Sequence, residues 1–398
     1  MAITNKEQGV WGLDQVYNKI NQGSIWEYTT NLSQLMAWGE ASTVKNFGLN
    51  NLISLSSPTQ IPGTWHTEGL FPATSTESPY LGGGVKTDGT LWLWGRNDEG
   101  PLGQNNNVHY SSPVQIPGTD WATGDGKRAF GRESVYALKT DGTLWSWGRA
   151  DGGALGLNQP SNSHKSSPVQ LTSATNWVQI SGGQMKGGAI NTSGELYLWG
   201  ADGYWGGRGN NTAGPSAMCS SPTQLPGTTW KVIQCKADGY IATKTDGTLW
   251  VWGYNGVGAL GQNTVVGYSS PIQIPGTTWG QTTATVGMGR ESVNIIKTDG
   301  TLWMWGKNSF GQLGLNDIAN RSSPVQIGTD TTWRSTCNNQ YSTFATKTDG
   351  SLWAWGQNTN GYLGLDDTIR RSSPVQVPGD WRSMLGTCCG NPMLFQLQ

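Results

Sequence analysis

Carboxylates are the groups in this sequence most able to do chemistry, because cleaving a glycosidic bond takes two of them facing one site. Five of the 26 acidic residues, Asp88, Asp141, Asp246, Asp299 and Asp349, are the central residue of a Thr-Asp-Gly turn between two hydrophobic runs. Asp-Gly between two hydrophobic runs is the signature of a two-residue type I′ hairpin, whose central residues both take φ > 0. Turn geometry therefore accounts for those five. Asp98-Glu99 and Asp366-Asp367 remain as loop carboxylates that could supply such a pair, and their sequence position does not place them across one site. Three histidines, His66, His109 and His164, fall at dissimilar positions of the repeat that organises the chain and read as solvated loop residues. Cys219, Cys235, Cys337, Cys388 and Cys389 lack the spacing of a zinc site, and an odd number excludes complete intrachain pairing. Gly124-Asp125-Gly126-Lys127-Arg128-Ala129 spells a dinucleotide fingerprint, yet no strand–turn–helix pattern surrounds it, so it reads as a loop. The sequence thus assigns no catalytic residue, no metal and no cofactor. The expectation is a protein that is not an enzyme.

Composition narrows the field further. With 25 basic against 26 acidic residues and a net charge of -1, the chain has no basic face to release counterions from a phosphate backbone. Nucleic acid is not an expected partner. No apolar run approaches the ~20 residues of a membrane helix, and the start shows no apolar signal-peptide core. The 58 glycines argue against long helices, where each interior Gly costs about 1 kcal/mol. The 22 tryptophans and the low charged fraction of 13% argue against a solvated coil. A turn-rich β protein remains.

The elements that must position any site are set by a repeat. Trp-Gly recurs with its Trp at 38, 94, 147, 199, 252, 305 and 355, in steps of 50 to 56 residues. Ser-Ser-Pro recurs with its Pro at 58, 113, 168, 222, 271, 324 and 374, and a further Trp follows each Pro by 7 to 9 residues. Three markers each count seven. Around each Asp-Gly turn run two strands, such as Val135–Lys139 and Thr143–Trp147, with bulky residues on both faces. A sheet apolar on both faces has both faces covered. Seven small sheets that cover one another form a closed ring, so the fold class is all-β, a seven-bladed β-propeller. The final segment, 392–398, aligns with the strand that elsewhere precedes Asp-Gly, and should pair with Gln34–Trp38 to close the ring.

Trp305-Gly306-Lys307-Asn308-Ser309-Phe310-Gly311-Gln312-Leu313-Gly314, followed by Ser322-Ser323-Pro324, resembles the repeat of the regulator of chromosome condensation (RCC1) family. The resemblance spans roughly residues 31–398 and implies a seven-bladed propeller. It carries over no functional residue, because no family motif outside the structural repeat is matched. Two loops share a sequence, Gly131-Arg132-Glu133-Ser134-Val135 and Gly289-Arg290-Glu291-Ser292-Val293. Arg132, Glu133, Arg290 and Glu291, with the loop aromatics Tyr204 and Trp205, are the candidate binding rim. Tyr110, Tyr268 and Tyr362 are further loop aromatics; Tyr and Trp bring large contact area at little entropic cost.

Residues 1–30 stand apart from the repeat, leaving 31–398 as the propeller domain. Leu13, Val16, Tyr17 and Ile20 lie at i, i+3, i+4 and i+7, one face of a short helix, and Trp11 extends its apolar side. So short a helix must dock to persist. Gly9–Tyr17 with Gly23–Trp26 resembles an N-terminal stretch of tailed-bacteriophage structural proteins. That resemblance implies a non-enzymatic virion protein, a fibre, spike or decoration made in the host cytoplasm. The extension would then hold other virion proteins, and the rim would touch a host surface glycan or protein. The alternatives are a soluble RCC1-like interaction scaffold, exchange-factor-like or inhibitor-like, and a glycan-processing enzyme with a converging acid/base pair.

Overall fold

The structure is a computed structural model. It describes residues 34–40, 47–51, 53–71, 81–201, 209, 218–235, 239–289, 291–338, 341–381, 386–388 and 391–396. The described strands form seven four-stranded antiparallel sheets, the blades of a propeller. Blade 1 joins β1 (Gln34–Gly39) and β2 (Leu55–Gln60) to β27 (Gly386–Cys388) and β28 (Asn391–Gln396), in the order β2-β1-β28-β27. Blades 2 to 7 each take four consecutive strands, within residues 65–116, 128–170, 177–225, 230–274, 286–326 and 333–377. In blade 1, β28 pairs with β1 through Gln34 opposite Gln396 and Leu35 opposite Phe395, so the first and last described strands share one sheet.

Each blade buries both faces, and the core lies between blades. Leu91 and Leu93 of blade 2 share one cluster with Val135, Ala137 and Trp147 of blade 3. Ile241, Leu249 and Val251 of blade 5 meet Val293, Ile295 and Trp305 of blade 6 in the same way.

The repeat letters are spent on holding neighbouring blades together. The indole N–H of Trp305 donates to the carbonyl of Ala259 in the preceding blade at 2.9 Å, and Trp147 does the same to Pro101 at 2.8 Å. The glycine of each Leu-Gly lets that indole approach. At Gly314 φ is +69°, and a Cβ would sit 2.8 Å from Trp355 Nε1. Buried Asn308 shapes the loop itself, accepting the Leu313 N–H at 2.9 Å and donating to the Asp317 carbonyl at 3.1 Å. Two residues after Leu-Gly, a left-handed Asn or Asp donates its backbone N–H to the first Ser of the next blade's Ser-Ser-Pro. Asn105 reaches Ser166 at 2.7 Å, Asn316 reaches Ser372 at 2.7 Å, and Asp366 reaches Ser56 across the blade 7–blade 1 boundary at 3.2 Å.

The hairpin differs from the type I′ expectation. The Lys86 N–H donates to Thr90 and the Gly89 N–H to Lys86, which makes a three-residue loop, and in Thr87-Asp88-Gly89 only the glycine takes a positive φ, +80°. This is a type I turn closed by a left-handed Gly. Asp88 keeps an ordinary φ because its carboxylate is the fastener. It accepts the Thr90 N–H at 3.0 Å and hydroxyl at 2.6 Å, and the Thr90 hydroxyl accepts the Trp92 indole N–H at 2.7 Å. Those bonds hold the Asp88 carboxyl below its usual range, and the same holds at Asp141, Asp246, Asp299 and Asp349. The Lys that opens each of these turns is held between two indoles; Lys139 Nζ lies 5.3 Å from the Trp121 ring and 4.7 Å from Trp145.

Candidate functional site

The hairpins and the Pro-Gly connections share one face of the ring, where Trp121 donates its N–H to Gly89. The loops after Trp-Gly share the opposite face with the Gly-Arg-Glu-Ser loops, where Arg149 donates its N–H to the Glu133 carbonyl at 2.8 Å. On that second face, blades 2 and 3 carry a continuous array of charged and polar groups.

Glu133 is its centre. Its carboxylate is almost wholly buried and meets two guanidiniums, Arg96 of blade 2 at 3.0 Å and Arg149 of blade 3 at 2.9 Å. Arg149 also holds Asp151 at 2.6 Å, and Arg96 holds Asp98. Burial pulls the Arg149 guanidinium down, but its bonds to Asp151 and Glu133 outweigh that and leave it above its usual range. His164 joins Glu99 of blade 2 at 3.0 Å, and His109 joins Asp98 at 3.4 Å. One ion pair, Arg96 with Glu133, and one histidine–carboxylate contact, His164 with Glu99, therefore cross the blade boundary.

The histidines correct the sequence reading. His109 and His164 each stand four residues before the Ser-Ser-Pro proline, at one repeat position. Nδ1 of His109 accepts the Asn97 N–H at 2.9 Å, and Nδ1 of His164 accepts the Ala150 N–H at 3.0 Å. In blade 6 the Asn320 side chain does the same for Asn308, at 2.9 Å. They are loop fasteners whose Nε2 faces a carboxylate, an arrangement that sets up neither a general base nor a nucleophile. Among the described residues no group of three or more His, Cys, Asp or Glu is gathered as a metal site requires. No helix among them is long and apolar enough to cross a membrane.

The other sequence candidates separate. Arg132 is half-buried beside Glu133. Glu291 repeats the arrangement in blade 6 in simpler form, with one partner, Lys307, at 2.5 Å. Arg290, Tyr204 and Trp205 lie outside the described residues, as do Trp11, Leu13, Val16, Tyr17 and Ile20. Tyr110 and Tyr268 are half-buried against interblade cores, and Tyr362 donates its hydroxyl to Glu40 at 2.7 Å. Burial and that carboxylate push the Tyr362 phenol up to about 12. Sequence reasoning missed Arg96, Arg149 and Asp151, although the residue after Trp-Gly could have marked the two arginines.

Residues 34–395 match the RCC1-like domain. The chain belongs to that family. It is 26% identical over 244 residues to the ultraviolet-B receptor UVR8 of Arabidopsis thaliana, covering 60% of this chain and 53% of the receptor. It is 29% identical over 264 residues to the mitochondrial RCC1 domain-containing protein RUG3 of the same plant, covering 61% and 56%. The chain thus spans about half the length of these curated relatives. With human HERC2, an E3 ubiquitin-protein ligase, it shares 27% over 252 residues, 61% of this chain and 5% of the ligase. Among solved structures, human WBSCR16 superposes with a TM-score of 0.75 at 18% identity, over 92% of this chain and 99% of that one. Yeast RCC1 (Prp20), solved bound to Kap60, gives 0.72 at 17% identity, over 93% and 90%. At such identity the structural likeness shows the fold.

These relatives overturn the virion expectation. They are plant, animal and yeast RCC1-like proteins, and their likeness runs through the propeller. The phage-like stretch covered about 20 residues outside the repeat, and a short amphipathic pattern is generic, since any docking helix needs one. A virion structural role, with virion proteins as partners of the extension, is withdrawn.

Proposed function

We propose that this propeller is a non-enzymatic protein-binding scaffold that engages its partner through the charged array on blades 2 and 3. The observation behind this reading is the break in repeat symmetry. In the position after Trp-Gly, blades 1, 4, 5, 6 and 7 carry Glu40, Ala201, Tyr254, Lys307 and Gln357, whereas blades 2 and 3 carry Arg96 and Arg149 on a shared Glu133. The repeat residues are consumed by the ring, so specificity has to reside where the repeat departs from itself. The outer pair of Arg96 with Asp98 is exposed and adds little stability, about 0–1 kcal/mol, but such charges steer and select a partner of complementary charge. Relatives supply the precedent for protein partners: yeast RCC1 was solved on Kap60, and Prp20p was studied for binding Gsp1p and histones.

Cross-linking and mass spectrometry of the tagged full chain in cells tests this. Cross-links should map to the loops around Asp98, Glu99 and Arg132, and Asp98→Lys with Glu99→Lys should remove the same partners. Partners retained equally by that variant, or mapping to the hairpin face, would exclude the array as the contact.

A further inference from the structure

The loop that reads as a false dinucleotide fingerprint lies at the ring axis. In blade 4 the inner strand follows its tryptophan directly: Trp177 pairs with Asn191 and Gln179, two residues on, with Ile190. In blade 3, Trp121 bridges Lys139, and the next bond, from the Leu138 N–H, goes to Lys127, six residues on. Blade 6 repeats this, with Trp279 bridging Lys297 and the Ile296 N–H donating to Thr285, again six residues on. Both blades therefore carry an insertion of the same length, four residues.

The two insertions meet. Asp125 and Thr283 occupy the same place, four residues after Trp121 and Trp279. The Thr283 N–H donates to Asp125 Oδ2 at 2.8 Å, and its hydroxyl donates to Oδ1. Two blades separate blades 3 and 6 on one side and three on the other, so this contact crosses the ring. Each insertion also grips the next blade: Ile180 of blade 4 donates its N–H to Gly126 at 2.8 Å, and Thr336 of blade 7 donates to Ala284 at 2.8 Å. The blade 3 insertion is stiffened from behind by the fully buried Arg128, whose guanidinium donates to the Glu68 carbonyl of blade 2 at 2.6 Å and to Gly124 at 3.3 Å.

We propose that these paired insertions are an axial brace that spans the channel mouth on the hairpin face and closes the ring a second time. The first closure, β28 on β1, lies in blade 1, on the side of the ring that the brace leaves out. Opening that seam leaves blades 3, 4, 5 and 6 a smaller loop still closed by Asp125 and Thr283. A single-seam propeller has no such reserve.

Hydrogen exchange by mass spectrometry on the full chain reads the brace directly. Asp125→Ala removes both acceptors at an exposed loop position. Exchange should rise about tenfold or more in the segments holding Ile180 and Thr336, with the outer strands of blades 4 and 7 unchanged. Wild-type protection at those segments would overturn the proposal. The double variant D125C/T283C tests it in the opposite direction. Its disulfide should form in the folded protein and hold blades 3 to 6 protected when Phe395→Ala weakens the seam. A disulfide that fails to form, or that adds no protection to those blades, would also overturn it.

Discussion

Arg96 of blade 2 and Glu133 of blade 3 meet at 3.0 Å across a blade boundary, and Arg149 takes the other carboxylate oxygen at 2.9 Å. The pairing explains why Glu133 tolerates a backbone φ of +95°, a conformation that costs of order 1–3 kcal/mol outside glycine. Glu133→Ala keeps that strain and removes both ion pairs. It should lose roughly 1–3 kcal/mol, less than a fully buried pair because both arginines keep a quarter to a third of their surface in water. Glu133→Gly relieves the strain and should lose less. Urea unfolding of the two variants checks the order, and equal loss would mean that the backbone conformation carries no cost.

The interblade indole bonds make a second, local prediction. Trp305→Phe leaves the Ala259 carbonyl without its buried donor, which costs about 1–3 kcal/mol. Gly314→Ala should cost more, since it meets both a positive φ and the Trp355 indole at 2.8 Å. Thermal unfolding of both variants tests this. A Gly314→Ala protein as stable as wild type would mean that the loop moves freely away from the indole.

Acid should find the bonded carboxylates of the hairpin face. Asp330 carries the clearest shift, down to about 2, because Lys347 and the Thr332 hydroxyl bond its charged form. A carboxylate whose folded value is depressed stabilises the fold above its unfolded value of ~3.9, and that contribution is lost as pH falls toward the folded value. The stability of the wild type should therefore fall between about pH 4 and pH 2, and Asp330→Asn should show a shallower fall over that window. Denaturant midpoints taken across it give the comparison. Identical slopes would show that Asp330 ionises alike in both states.

Seven blades were legible because three markers recur at near-regular spacing, and each marker proves to be an interblade fastener: the Trp-Gly indole, the Ser-Ser-Pro carbonyl and the backbone N–H of the later Trp, which Trp121 gives to Gly89 of the preceding blade. The hairpin type was misread because Asp-Gly fits two turns, and only the Asp88 side-chain bonds to Thr90 choose between them. The equivalence of His109 and His164 was hidden because the blade 3 loop is two residues longer than that of blade 2, which shifts the histidine's distance from Trp-Gly. Asp125 and Thr283 are 158 residues apart, and nothing local in either insertion says that they meet. Such contacts depend on ring closure, which spacing predicts only as a count.

Ring closure itself gives the last prediction. Phe395 is 1% exposed and packs with Leu35, Ala37, Ile61 and Trp65, so one side chain near the chain end ties blade 1 to blade 2. Phe395→Ala should cost about 3–5 kcal/mol, the range for a buried aromatic. Phe344→Ala, in the interior of blade 7 at 0% exposure, should cost a similar amount but by a different route. Loss of Phe395 weakens the seam, so the denaturant slope should fall as blade 1 opens ahead of the rest, whereas loss of Phe344 should shift the midpoint and keep the slope. A chain truncated after residue 390 removes β28 altogether and should show the broadened transition in its strongest form. If that truncated chain unfolds with the midpoint and slope of the full chain, pairing of β28 with β1 contributes nothing to cooperativity, and the ring is held by its interblade bonds alone.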